Sequence, residues 1–291
     1  MRPAFDSARR ARPLLGTFVE VTAGGASPDR LDAAIERAFA AVAEVHRLMS
    51  FHEGGSDVSR LNRCALSGPL AVDPQTFEVL EWSRRFAEAS EGCFDITVAA
   101  QLVDWRLLPR PVCAYVPDRQ GSWRDVELLP DGTVRFRRPI WIDLGGIAKG
   151  YAVDRAIDSL RDAGIPWGCV NAGGDLRVLG REAARVQLEP RHGNERCVPV
   201  LEVANGSVAS SGGGRRHRGA VGPHVHGIAR HAVGGHAFVS VVADRCLVAD
   251  ALTKIVLTQG PRSEAVLCRY GARSHVRTAR HEWRTIGGTA P

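Results

Sequence analysis

Residues 143 to 180 limit the fold more than any other stretch of the chain. "GIAKGYAVDRAIDSLRDAG" predicts one amphipathic helix ended by Gly164, because glycine takes the left-handed conformation that closes a helix. It runs directly into "WGCVNAGGDLRVLG", which reads as strand, glycine turn, strand. A helix that leads into a hairpin argues for an α+β fold over a doubly wound parallel sheet.

The flanking sequence repeats this mixture. "LLGTFVEVTA" (14–23) predicts a first strand, and residues 1–11 before it a disordered N-terminal tail. The next stretch has Ser27 as a cap and Pro28 at the first helical position. Leu31, Ile35, Phe39, Val42, Val45 and Met49 then fall on one helical face. A second helix starts at Asp73-Pro74, and a hairpin turns near Asp131-Gly132. "AARVQLEP", "VPVLEVANGSVASS" and "FVSVVAD" predict further strands, and "VADALTKIVLTQG" a helix closed by Gly260. Repeats, low-complexity segments and an evident linker are missing, so 1–291 reads as one domain with mixed or antiparallel sheets and flanking helices.

Composition excludes several classes. The chain is 44% hydrophobic and 24% charged, the mix of an ordinary globular protein. Its net charge of +6 invites a nucleic-acid reading, but the arginines are interleaved with acids. The densest basic patch, "GGGRRHR" (212–218), is short, where a nucleic-acid surface needs a stripe. The seven cysteines form no C-x-x-C, which argues against a zinc site or a disulfide framework and for buried small hydrophobes. No run approaches a membrane-spanning length, and the first residues lack an apolar signal core. A reducing, cytoplasmic setting is the expectation.

Of the 38 lysines and arginines only Lys149 and Lys254 are lysine. Lys149 stands at a helix N-terminus just after Gly145-Gly146, where the helix dipole disfavours a cation. A bound anion, held jointly by free backbone N–H groups, would reverse that; a solvated stem over apolar surface is the plain alternative. Asp250 and Lys254 are spaced i, i+4 on an apolar helix, as an ion pair or as two ligand-facing groups. Asn171 ends a strand before two glycines, suited to reading a flat heterocycle or to making an Asx-type turn. Histidines 217, 224, 226, 231 and 236 crowd one Gly-rich loop, and "HVH" offers two on one side of a strand. A histidine-lined substrate loop suits that context better than a closed metal site.

Taken in order, "RPLLGTFVEV", "SFHEGGSDVSRLN", "GCFDITV", "DLGGIAKGYAVDRAIDSLRDAGIPWGCVNAGGD", "GSVASSGGGRR" and "ADALTKIVLTQG" resemble the ApbE family, the FAD:protein FMN transferases. The resemblance implies a single T-fold-related α+β unit that binds FAD. It implies Mg²⁺-assisted cleavage of the FAD pyrophosphate and transfer of FMN to a Thr or Ser of an acceptor flavoprotein of the FMN-binding-domain type, with AMP released. Carried over, Leu15, Cys93, Phe94, Asp95, Asp143, Lys149, Asn171, Ser211 and His226 match flavin- or FAD-contacting positions. Gly146, Asp250 and Thr253 are matched to the metal site. His226, Asp250 and Lys254 are the implied catalytic group, with His226 assisting deprotonation of the incoming hydroxyl.

Several positions depart from the family pattern. The metal-ligating Thr usually sits four residues after the Asp, where this chain has Lys254, and Thr253 is one residue early. "H-I-x-D-P" becomes "HGIAR", with Ala229 for Asp and Arg230 for Pro. Leu15 stands where Met is common, and "TSG" has become "SSG" at Ser210, Ser211 and Gly212. Two alternatives stay beside the transferase: an FAD pyrophosphatase, and a flavin-binding carrier or regulator without the chemistry. The two lysines are expected to flank one pyrophosphate, Lys254 replacing charge otherwise brought by the metal, because arginine's planar fork would not fit a point-charge site.

Overall fold

The computed structural model of the chain describes residues 7–188, 198–212, 224–233, 238–278, 280 and 282–288. Its strands are β1 (Ser7–Leu14), β2 (Thr17–Gly24), β3 (Leu70–Ala71), β4 (Val126–Leu128), β5 (Thr133–Phe136), β6 (Trp167–Ala172) and β7 (Asp175–Leu179). They continue with β8 (Ala184–Gln187), β9 (Val200–Val203), β10 (Ser207–Gly212), β11 (Phe238–Ala243), β12 (Arg273–Arg277) and β13 (Trp283–Ile286). The α-helices are α1 (Pro28–Met49), α2 (Asp57–Cys64), α3 (Pro74–Ala89), α4 (Ala99–Asp104), α5 (Ala148–Asp162), α6 (Cys246–Gln259) and α7 (Glu264–Arg269).

Eight strands form one sheet in the order β1-β2-β6-β7-β10-β11-β12-β13. Every neighbouring pair in it runs antiparallel. Strand alternation sorts its side chains. Val19, Val21 and Ala23 on β2 are fully buried, and Val21 stands opposite Val170 on β6. Helices α1, α5 and α6 pack on that face and share its core. On the other face, Leu176 and Val178 of β7 and Val208 of β10 join Val203 of the β8–β9 ribbon in a second cluster. The fold is α+β, as the helix-into-hairpin segment demands.

Local signals hold where they are strong. All six residues of the α1 stripe are buried. Asp73 caps α3 by accepting from the Gln75 amide at 2.9 Å. Ser27 occupies the cap position of α1 but makes no side-chain cap bond. Gly164 has φ +69°, the left-handed value expected of it.

Two expectations need correction. Residues 7–11, expected in a disordered tail, belong to β1, which pairs with β2 along its length; residues 1–6 lie outside the described ones. The strand is an edge, so its arginines face outward and bond to carboxylates: Arg10 to Asp32 at 2.9 Å and Arg12 to Glu36 at 2.5 Å on α1. Among the described cysteines only Cys246 is buried; Cys64 and Cys268 are exposed and the other three intermediate. Cys197, His217, His236 and residues 213–218 of the basic patch lie outside the described residues. No helix among the described residues is long and apolar enough to cross a membrane.

Candidate functional site

Strand β7 builds the site by its alternation. Leu176 and Val178 point to the ribbon, so Asp175 and Arg177 point to the helix face. Charges buried there need partners, and α5 supplies both. Lys149 in its first turn forms an ion pair with Asp175, whose side chain is fully buried. Further along the helix, the buried Asp154 accepts from Arg177 at 2.8 Å.

Helix α6 adds a second pair. It crosses α5 at Gly150, where a Cβ would collide with the Cys246 carbonyl. With no side chain in the way, the Gly150 amide donates to Oδ2 of the fully buried Asp250 at 3.0 Å. Oδ1 of Asp250 takes the Lys254 ammonium. Two lysines and two aspartates therefore meet, with Lys254 17% and Lys149 33% exposed and both carboxylates closed off. Burial pulls the Lys149 ammonium down, but Asp175 and Asp250 outweigh it and hold it above its ordinary value. Burial raises the Asp175 carboxyl, Asp250 adds to that, and the two lysines oppose it.

His224 faces the same group. Burial, with Lys254 and Lys149, lowers its imidazole to about 3 against the opposing pull of Asp250, so it is neutral at physiological pH. A depressed folded-state value means that the unfolded chain binds the proton first as pH drops below about 6.5. Stability is then complete above that pH and falls below it, by up to about 1.4 kcal/mol per pH unit from this group. His224→Gln is expected to flatten the slope of urea-unfolding stability between pH 6.5 and 5 relative to the parent chain. Equal slopes would show that His224 is not held neutral by burial beside the two cations.

A second group lies at the mouth of an open cavity of about 440 Å³ lined by Asp95, Gly121, Trp123, Gly227, Ile228 and Arg230 among others. Asp95 accepts from the Thr97 amide and hydroxyl at 2.8 and 2.7 Å, from the Trp123 amide at 3.2 Å and from Arg230 at 3.2 Å. Burial still raises its carboxyl above the ordinary range, with Arg230 the main opposing influence. Arg230 has φ +55°, which proline's ring forbids. Its guanidinium also donates to the Gly121 carbonyl at 2.6 Å. Gly227 permits the loop to press down: a Cβ there would collide with the Gly92 carbonyl, and its amide donates to Cys93 at 3.0 Å. His226 stands beside it, with Nδ1 accepting from the Ile228 and Ala229 amides at 3.2 and 3.3 Å. A neutral imidazole so held carries its proton on Nε2.

Phe94 joins the two groups. A Cβ built on Gly146 would stand 3.7 Å from the Phe94 ring and 3.8 Å from Lys254 Cε. Asp143 sits just before, its amide bonded to the Ile96 carbonyl at 2.8 Å and its carboxyl raised by burial against the Gly145 amide. Asn171 Oδ1 accepts from the Gly174 amide at 2.9 Å, the Asx-type alternative for this residue, and holds the turn that presents Asp175. Leu15, at φ +55°, lies in the β1–β2 turn. Thr253 turns away from the carboxylate: its hydroxyl donates to the Asp250 carbonyl at 2.7 Å and meets Ser211 Oγ at 2.8 Å.

The ApbE family model matches residues 15–275. The chain belongs to the ApbE family. A curated relative from Treponema pallidum, named FAD:protein FMN transferase, is 27% identical over 89% of this chain and 81% of its own. One of the same name from Vibrio cholerae is 28% identical over 75% and 70%. The fold matches the solved flavin transferase ApbE from Vibrio cholerae at TM-score 0.82 and 23% identity, covering 98% of each chain. It matches the ApbE protein from Thermotoga maritima at 0.83 and 23%, covering 97% of each.

Within this ApbE-family chain, Phe94, Gly146, Lys149, Asp250 and Lys254 come together, while Asp95 lines the cavity and Cys93 and His226 are chain neighbours of its lining residues Gly92 and Gly227. Asp175, His224 as the histidine facing the lysines, and the anchoring part of Arg230 were not singled out from sequence. Asp175 had a signal: a carboxylate opening a strand whose alternate residues Leu176 and Val178 are apolar needs a buried partner.

Proposed function

We propose that this chain is an FAD:protein FMN transferase, moving FMN from FAD to a Ser or Thr hydroxyl of an acceptor flavoprotein of the FMN-binding-domain type. The observation that carries this reading is the meeting of two ammonium groups, Lys149 and Lys254, beside the Phe94 ring on the only two lysines of the chain. The names of the relatives support the same activity. In the reaction the acceptor oxygen bonds to the FMN-side phosphorus, the pyrophosphate P–O bond breaks, and AMP leaves with that electron pair. The hydroxyl proton goes to a base.

The ammonium groups hold and offset the phosphate oxygens as charge develops on them. Phe94 gives an apolar wall to the bound nucleotide. His226, with its proton on Nε2 at rest, accepts the hydroxyl proton on Nδ1 once the Ile228 and Ala229 amides release that atom, and becomes imidazolium. The cavity beside Asp95 and Arg230 is the approach for the acceptor. The described cysteines are free thiols, which suits a reducing compartment, and we place the protein in the cytoplasm.

The test incubates the purified chain with FAD and a Ser/Thr-bearing acceptor flavoprotein and follows AMP by chromatography and covalent flavin by in-gel fluorescence. AMP and labelled acceptor appearing together are expected. AMP with free FMN and no acceptor requirement would make the chain an FAD pyrophosphatase. Bound FAD without AMP would make it a flavin-binding relative that lacks the chemistry.

A further inference from the structure

The four charged groups of the site are balanced before any ligand arrives. Asp250 has the Lys254 ammonium on one oxygen and the Gly150 amide on the other. Asp175 has Lys149 on one oxygen and the Ser210 amide on the other at 3.2 Å. The Thr253 hydroxyl proton is given to the Asp250 carbonyl, and the same oxygen meets Ser211. The stem of Lys254 lies against Gly146, where a Cβ would stand 3.8 Å from Cε and 3.9 Å from Cγ. Of the three positions matched to a metal, Asp250 holds the Lys254 ammonium, Gly146 lies against its stem, and Thr253 is bonded elsewhere.

Mg²⁺ demands roughly six oxygens in near-octahedral array at about 2.0–2.1 Å. Here one carboxylate is already taken by a cation, the hydroxyl is turned aside, and any ion at Asp250 would lie next to a positive charge of the same sign. Among the described residues no group of three or more His, Cys, Asp or Glu is arranged to hold a metal ion. The donor set does not fit a divalent cation.

We propose that Lys254 is a tethered replacement for that cation, and that this chain holds the pyrophosphate of FAD with no free metal ion. The inference rests on the FAD reading above. An ammonium has three N–H donors. Asp250 takes one and fixes the direction of the group, and two remain for phosphate oxygens. Lys149 is held the same way by Asp175, so two aimed ammonium groups replace one lysine and one ion. The four-carbon stem packed on Gly146 makes this cation part of the chain, present at every metal concentration. Arginine would spread its charge over a planar fork and lose the point contact with Asp250.

Two measurements test this on the full chain. Equilibrium dialysis with Mn²⁺ alone reads cation binding without any flavin. FAD fluorescence quenching in EDTA and then in Mg²⁺ reads nucleotide affinity. The parent chain is expected to bind no stoichiometric Mn²⁺, and its FAD affinity to change less than about twofold between the two buffers. Lys254→Thr, which frees Asp250, is expected to gain Mn²⁺ binding and to bind FAD at least about fivefold more tightly in Mg²⁺ than in EDTA, the lower end of ordinary site-to-site coupling. Stoichiometric Mn²⁺ on the parent chain, or an FAD affinity that rises about fivefold or more with Mg²⁺, would overturn the proposal. A parent chain that binds no FAD in either buffer overturns the FAD reading, and with it the pyrophosphate role; the Mn²⁺ result then decides separately whether Lys254 excludes the ion. The parent-chain arms stand even where the variant does not fold.

Discussion

Gly150→Ala is expected to destabilise the chain by about 3 kcal/mol or more, at the upper end of what overpacking costs. In an ordinary helix interior the same change would gain about 1 kcal/mol from helix propensity. Here the added Cβ meets the Cys246 carbonyl oxygen, the carbonyl carbon at 2.7 Å and Asp250 Cβ at 2.8 Å. Two of those atoms are backbone of another helix, so no rotamer change relieves the overlap and α5 and α6 must part. Parting them also lengthens the bond from the Gly150 amide to Asp250. Steric cost therefore outweighs propensity, and the melting temperature should fall by about 6–12 °C for a chain of this size. FAD affinity should fall with it, because Lys149 and Asp250 sit on opposite sides of that contact. An alanine variant as stable as its parent would show that the helices do not approach so closely.

Asp154→Ala should cost a similar amount for a different reason. Asp154 is fully buried on α5 and accepts from the Cys246 and Leu247 amides at 2.9 and 3.0 Å, the first free N–H groups of α6. It also pairs with Arg177 at 2.8 Å and Arg245 at 3.4 Å. Arg245 is the cap residue of α6 but makes no side-chain cap bond. A carboxylate 92 residues distant does that work. Removing it leaves a mostly buried guanidinium and two helix N–H groups without their acceptor, about 3–5 kcal/mol for breaking such a buried pair. The urea midpoint reads the loss. Adding Arg177→Met to Asp154→Ala should recover part of it, because the stranded cation goes too. If the double variant is no better than the single, the cost lies in the helix cap rather than the ion pair.

Both predictions concern the α5–α6 crossing, which also sets the geometry of the site. Lys149 and Gly150 are neighbours on α5, one reaching Asp175 and the other Asp250. Stability and ligand geometry are coupled there, so the variants should be read with both a stability and a binding measurement.

What the sequence shows of this crossing is uneven. The α1 stripe, the Asp73 cap, the hairpin at Asp131-Gly132 and the left-handed Gly164 follow from spacing within a few residues, and the structure has each of them. Strand β1 was not legible, because "SARRARPL" is an edge that faces solvent and carries no apolar alternation. It is held by its register with β2 and by arginines reaching α1. The odd placement of the two lysines was legible, but not their partners. Asp175 is 26 residues from Lys149, whereas Asn171 before two glycines already pointed to the Asx-type turn that it makes.

By itself the sequence determined the α+β class, the helices and hairpins, and the family. Those rest on short-range periodicity and on ordered motifs, which need no knowledge of how elements cross. Only the tertiary structure decided which charges meet. Ion pairing depends on separations of a few ångströms between groups far apart in the chain, and those separations are set by how α5 and α6 lie across β7. That crossing puts Lys254 on Asp250 beside Gly146, gives Lys149 to Asp175, turns Thr253 toward Ser211, and brings His224 rather than His226 toward the cations.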